Sequence, residues 1–285
     1  MIRALKALFN GFLFTSTYIG CCAVIMAWQT FVLFGYRVNT VLLAFIFFGT
    51  ITSYNFHWYL TPTLAGGSTK AVWSVRHKKL HAALFLLGLA GAAWSGWQLL
   101  DKWYWLLLTA FVTFLYSAPK IPLPLFRSLR RIAVGKTVFL ALAWTQIPFI
   151  LPLLFSTIAW TPVEHLFVFN RFFLIYAICI VFDYRDREAD RRDGIRSLVT
   201  ALDDAGINRL FWSSLIVFGA STVVLAWYGA PGGAVLMLAA PGVILGMLYS
   251  YARQRQSDHF YYFVLDGLMM LSSLLLLVSG LSLNL

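Results

Sequence analysis

The stretch from Asp183 to Gly194, DYRDREADRRDG, packs nine charged side chains into twelve positions of a chain that is only 12% charged and 60% hydrophobic. Five of the chain's eleven acidic residues lie in it. At about 100° per residue, Asp183, Asp186, Asp190 and Asp193 fall within one arc of roughly 80° on a helix, while Arg185, Arg191, Arg192 and Arg196 point elsewhere. Carboxylates at i, i+3 and i+7 on one face suit a hard cation such as Mg²⁺, which takes one or two carboxylates together with waters and substrate phosphate oxygens. The plainer alternative is a solvated helix end laced by pairs such as Glu188 with Arg192, each worth roughly a few tenths of a kcal/mol. Segregation of the acids from the cations around the helix favours the first.

The elements that must position this stretch are membrane spans. A chain of 285 residues with a mean hydropathy of +0.77 and 17% aromatic residues carries more apolar surface than a soluble domain hides. Its apolar runs predict an all-α, polytopic bundle of nine spans, at about 9–34, 38–64, 80–100, 103–118, 134–155, 167–182, 210–228, 234–251 and 260–281. Unbroken runs leave no alternation for a barrel. No linker or low-complexity stretch divides the chain, so residues 1–285 read as a single domain, with slight similarity between spans 2–5 and 6–9.

Charge bias orients the bundle. With the N-terminus in the cytoplasm, 19 of the 22 Lys and Arg residues lie inside, leaving Arg37, Lys102 and Arg171 outside. The C-terminus then faces outward across what we expect to be a bacterial cytoplasmic membrane. The net charge of +11 is spread over five cytoplasmic segments, which points to topology and membrane lipid headgroups rather than nucleic acid. Cys21, Cys22 and Cys179 all lie in apolar segments as small hydrophobes, and no disulfide or zinc site is expected. In this orientation spans 2, 4, 6 and 8 end at the cytoplasmic face in polar sequences, TSYNFHWYLTP, LYSAPK, DYRDREAD and LYSYARQR, so a site cavity is expected to open there.

FDYRDREADRRDGIRSL resembles the second aspartate-rich motif of the UbiA superfamily of intramembrane prenyltransferases, Asp-x-x-Asp-x-x-x-Asp followed by Gly and Ser/Thr-Leu. LYSAPK is similar to its Tyr-x-x-x-Lys pattern, at Tyr116 and Lys120. GKTVFLALAW resembles the start of its fifth span, and nine spans match its fold. The resemblance implies that Asp183, Asp186 and Asp190 hold Mg²⁺ on the diphosphate of a prenyl substrate. It likewise places Tyr116 and Lys120 at the phosphate end, with Lys120 also stabilising the leaving charge, and a lipophilic acceptor takes the chain.

One departure is large. The family's first motif, Asn-x-x-x-Asp-x-x-x-Asp, begins here at Asn55, but Tyr59 and Thr63 stand where the acids belong. Asn55 remains as a substrate contact or as an interhelical hydrogen-bonding group. His57 lies about 200° around the helix from it. The missing acids imply one Mg²⁺ or none. Basic residues Arg76, His77, Lys78 and Lys79 are candidates to help hold a diphosphate, or serve topology alone. Asp266 is an intramembrane acid and so a further candidate. Three functions follow: a prenyltransferase, a non-catalytic protein binding an isoprenoid or a partner, and, third, an unrelated lipid-phosphate enzyme or a transporter. Charge gathered at one face rather than at the midplane stands against the last.

Overall fold

The structure is a computed structural model that describes residues 2–61, 68–118, 121, 136–156, 159–192, 194, 196–254 and 257–279. Among these every regular element is helical. The main helices are α1 (Ile2–Phe14), α2 (Thr17–Leu33), α3 (Thr40–Leu60), α4 (Thr69–Arg76), α5 (Lys78–Trp97), α6 (Trp103–Ser117), α7 (Lys136–Phe155), α8 (Pro162–Arg192), α9 (Asp204–Trp227), α10 (Gly232–Gln254) and α11 (Phe260–Ser279).

Seven of these, α3, α5 and α7 to α11, are long and apolar enough to cross a membrane, and α1 with α2 as one bent span makes eight. The fourth expected span is α6, whose 15 residues reach only about 22 Å of the ~30 Å hydrocarbon thickness before the described residues pause. The first expected span, 9–34, is corrected in one respect: it is broken between α1 and α2 by 58°. Ser16 sits at φ 65°, a left-handed conformation that no α-helix continues through. Thr15 stabilises the break by donating from Oγ1 to Gly11 O at 2.7 Å and pairing with Thr17 Oγ1 at 2.9 Å.

Contacts gather into two compact units, Met1–Val24 with Asn39–Arg127, and Ile25–Val38 with Ser128–Leu285. In the first, Asn39 caps α3 by accepting from Leu42 N, and the helix ends at Thr61, extended as the residue before Pro62 must be. Helices α3 and α5 touch closely because Gly88 has no side chain: a Cβ there would meet Thr52 Oγ1 at 2.7 Å and the Phe48 carbonyl at 3.0 Å. Small residues at such crossings let backbones approach in a membrane, where lipid supplies no hydrophobic drive between helices.

In the second unit, the proline-rich α7 stays helical because a neighbour satisfies what its prolines release. Pro152 has no N–H for the Pro148 carbonyl four residues earlier, and Thr30 Oγ1 donates to that carbonyl at 2.9 Å. The same helix widens to a π-turn over Gln146–Ile150. Arg171 was expected with the outer charges, but it is wholly enclosed, about 14 Å along α8. Its guanidinium donates to Asn170 Oδ1 at 2.9 and 2.5 Å, to Ser272 Oγ at 3.2 Å and to Leu238 O at 3.0 Å, with the ring faces of Phe167 and Phe218 at 5.7 and 5.3 Å. Asn170 Nδ2 in turn donates to Phe218 O, Ser221 Oγ and Thr222 Oγ1, and Gln29 Oε1 accepts from Ser272 and Ser273. One polar chain thus ties α2, α8, α9, α10 and α11. Arg171 is a structural cation in the bundle interior and does not count in the charge bias.

The Gly88 contact carries a stability prediction. Gly88→Leu should lower the stability of the detergent-solubilised protein by about 1–3 kcal/mol, since it forces two backbones apart. Gly219→Leu, where a Cβ meets nothing within 4 Å, should change it by less than about 0.5 kcal/mol. Equal thermal midpoints for the two variants would show that α3 and α5 do not approach as described.

Candidate functional site

Helix α8 runs for 31 residues, roughly 46 Å, so its last turns extend past any ~30 Å apolar layer and carry the acidic stretch as a continuation of the span. It stops at Gly194, whose φ of +69° is a left-handed conformation open to glycine at little cost, and whose N–H donates to Arg191 O at 3.2 Å. Asp193 lies outside the described residues.

The three expected carboxylates are there and differ from one another. Asp183 and Asp190, two turns apart on one face, are buried at 3% and 7% exposure, and both meet the ammonium of Lys136 at the start of α7. Lys136 Nζ lies 2.6 Å from Asp190 Oδ2 and 3.3 Å from Asp183 Oδ1. Thr137, the next residue, donates from Oγ1 to Asp183 Oδ2 at 2.5 Å. Both oxygens of Asp183 are therefore engaged. Asp186 lies one turn along with its side chain 44% exposed, and its Oδ1 accepts from Arg185 Nε at 2.9 Å.

Arg185 is held rigidly. Its guanidinium donates to Tyr262 Oη at 3.0 Å, lies 3.7 Å from Asp258 Oδ1, and stacks over Tyr261 at 4.4 Å and Tyr262 at 5.0 Å. Tyr261 and Tyr262 belong to the π-turn over Phe260–Leu265 at the start of α11, and Asp258 lies two residues before it. Asp266, the expected intramembrane acid, is half-buried just beyond that turn.

Two further arginines of α8 hold the connection to α9. Arg187 donates to Leu202 O at 2.5 Å and Asp204 Oδ1 at 2.6 Å, and Arg191 donates to Thr200 O at 3.1 and 3.2 Å. That connection folds as a single turn, Leu198–Ala201, closed by a reciprocal cap between Ser197 and Thr200. Glu188 pairs with Arg191 at 3.2 Å, whereas the expected partner Arg192 donates to the Glu188 backbone carbonyl. Beside this face a cavity of about 340 Å³ is lined by Tyr184, Asn208, Trp212, Tyr249, Ser250 and Arg253. Arg253 there is committed to Tyr184 Oη at 3.1 Å and Asp204 Oδ2 at 2.9 Å.

The candidates of the first unit stand as follows. Asn55 is fully buried: Nδ2 donates to Thr15 O at 3.0 Å and Ile51 O at 2.8 Å, and Oδ1 pairs with His81 Nδ1 at 2.7 Å. That is the geometry of an interhelical bond. Tyr59, in the place of the first missing acid, is exposed on α3, and Thr63 lies outside the described residues. Tyr116 is half-buried near the end of α6 and stacks on His57, with centroids 4.9 Å apart and planes within 17°. Lys120 lies outside the described residues. Lys70 is buried with its ammonium 4.7 Å from the Trp58 ring, and His77 stacks on Trp73 at 4.1 Å, while Arg76 and Lys79 are exposed.

The family model for the UbiA prenyltransferase family matches residues 74–274, which is more than half of the chain and contains the whole acidic stretch. The chain belongs to the UbiA prenyltransferase family. It is an integral multi-pass membrane protein of the prenyltransferase class, whose members generally use Mg²⁺ and join a prenyl diphosphate to a lipophilic acceptor. No curated protein and no solved structure matches it.

The carboxylates suit Mg²⁺ by chemical type, but their arrangement does not match a three-carboxylate metal site. An ammonium bridges two of them, a guanidinium holds an oxygen of the third, and no group of three or more metal-type donors converges among the described residues. Sequence reasoning missed Lys136 and Thr137. The signal was present in GKTVFLALAW, where a Lys opens an otherwise apolar run.

The bonds of Arg187 generate a test. Arg187→Ala removes both bonds to the α8–α9 connection, so amide hydrogen exchange over Leu198–Asp204 should speed up several-fold, since each 1.4 kcal/mol is about tenfold in the opening equilibrium. Unchanged exchange there would show that Arg187 does not hold the turn.

Proposed function

We propose that this protein transfers an isoprenoid chain from an allylic prenyl diphosphate to an aromatic or other lipophilic acceptor, with the phosphate end handled at the Lys136–Asp183–Asp190 cluster and Asp186. The observation that carries this reading is the placement of two buried carboxylates and one exposed carboxylate around fixed cations at the polar end of a membrane helix, within a family of prenyltransferases. Residues 1–285 are read as one domain, because the family match runs through both units. Charge bias supports a site on the cytoplasmic side of a bacterial membrane, with the N-terminus inside and the C-terminus outside.

The chemistry asks for charge control more than for a nucleophile. The allylic C–O bond breaks with its electron pair leaving on the diphosphate, and fixed cations aimed at that developing charge lower the barrier. Arg185, oriented by Tyr262 and Asp258, is placed for such a role, while Lys136 offsets the charge of Asp183 and Asp190. The family resemblance adds Tyr116 and Lys120 as contacts to the phosphate end. The allylic cation is screened by aromatic faces until an acceptor carbon supplies the electrons for the new C–C bond and sheds a proton.

A second reading is a non-catalytic member that binds an isoprenoid. It is favoured by the first motif, where the Asn55 amide is committed to Thr15, Ile51 and His81 and the place of the next acid holds Tyr59.

Purified protein given labelled prenyl diphosphates and a panel of aromatic and quinone-precursor acceptors should form prenylated product. Asp186→Asn should cut turnover at least tenfold while leaving stability within about 1 kcal/mol, because a half-exposed pair contributes little. Binding of the diphosphate without product from any acceptor establishes the second reading. Failure to bind prenyl diphosphate at all removes both.

A further inference from the structure

Lys136 raises a question that the family's general use of Mg²⁺ sharpens. Asp183 and Asp190 are nearly closed to solvent, and two such carboxylates left to themselves carry two negative charges that burial penalises heavily. The pair must recruit a cation, capture a proton or bind a metal. The chain supplies a cation: one ammonium donates to Asp190 Oδ2 at 2.6 Å and lies 3.3 Å from Asp183 Oδ1, while Thr137 occupies Asp183 Oδ2 at 2.5 Å. A divalent ion bound between these carboxylates needs the same oxygens at about 2.1 Å and meets a positive charge already seated there. At the positions where the resemblance leads one to expect the acids of a first motif, the sequence has Tyr59 and Thr63, neither of which is a carboxylate. The two features point the same way.

We propose that Lys136 is a built-in counter-ion that takes the place of a divalent metal between Asp183 and Asp190, so that the protein without substrate has no tight divalent-ion site on this pair. The inference deepens the prenyl-diphosphate reading, because Lys136 offsets part of the negative charge that the two carboxylates would otherwise turn toward the phosphate end. It predicts that Lys136 and a divalent ion are mutually exclusive occupants of one location.

Mn²⁺ serves as the probe, its free ion followed by electron paramagnetic resonance on purified protein in detergent without diphosphate. Wild-type protein should leave the free Mn²⁺ signal essentially intact at equimolar concentration. Lys136→Met, which keeps the stem and removes the charge, should take up about one Mn²⁺ per chain at least tenfold more tightly, and Asp183→Asn added to it should abolish that uptake. Tight binding of Mn²⁺ by the wild type that is lost on Asp183→Asn overturns the proposal, as does a folded Lys136→Met protein that gains no site. Because the wild-type titration decides by itself, a Lys136→Met protein that fails to fold leaves the proposal open to refutation. Prenyl diphosphate binding, measured separately in the presence of a chelator, keeps the two ideas apart. Loss of that binding with the Mn²⁺ results intact removes the functional reading alone, whereas the reverse pattern removes only the counter-ion.

Discussion

A bilayer offers no water to a polar group, so each one inside it has to find its partner within the protein. That constraint accounts for most of the specific bonds in this chain. The carbonyl that Pro152 frees is taken by Thr30. The Arg171 guanidinium is shared among Asn170, Ser272 and the Leu238 carbonyl, and Asn170 is shared in turn with α9. In the first unit the Asn55 amide joins Thr15, Ile51 and His81. Each of these polar groups would be costly alone, and each becomes a tie between helices because it is not alone. Apolar residues make the helices insoluble in water, and a sparse set of polar ones decides which helix lies against which.

The same requirement divides the acidic stretch by depth and direction. Asp183, deepest along the polar end of α8, is the most completely engaged, with Lys136 on one oxygen and Thr137 on the other. Asp186 faces outward enough to keep a half-exposed carboxylate. Arg187 and Arg191 bind backbone carbonyls of the α8–α9 connection. A single run of charge thereby does two jobs, a buried carboxylate–ammonium cluster on one side and the fixing of a turn on the other.

Much of this was legible in the sequence. Apolar runs place the spans because a bilayer imposes a length, and the 100° step places Asp183, Asp186 and Asp190 on one face because a helix imposes an angle. What could not be read are pairings across distance. Nothing near Asp183 or Asp190 announces Lys136, which lies 54 positions from Asp190 in sequence, on a different helix. Asn55 and His81 give no sign of each other for the same reason. Local conformation misled in one place: the apolar run through Thr15 and Ser16 reads as continuous helix, and only the left-handed Ser16 breaks it. Arg171 misled in another, since a lone Arg near a span end resembles a loop charge until the residues that surround it are known.

The bond from Gln29 to Ser272 and Ser273 has a consequence for how the protein is made. Its partners are separated by 243 and 244 positions, and both ends belong to the unit formed by Ile25–Val38 and Ser128–Leu285. At ribosomal speeds of about 5–20 residues per second, Gln29 is synthesised roughly 12–50 s before the serines that will satisfy it. During that interval the Gln29 amide oxygen waits for a helix that does not yet exist, whereas the Thr30 hydroxyl already has the Met26 carbonyl of its own helix at 3.2 Å. Synthesis of α11 supplies that helix, so a ribosome that stalls before α11 would leave a nascent chain whose Gln29 amide oxygen has neither of its two serines.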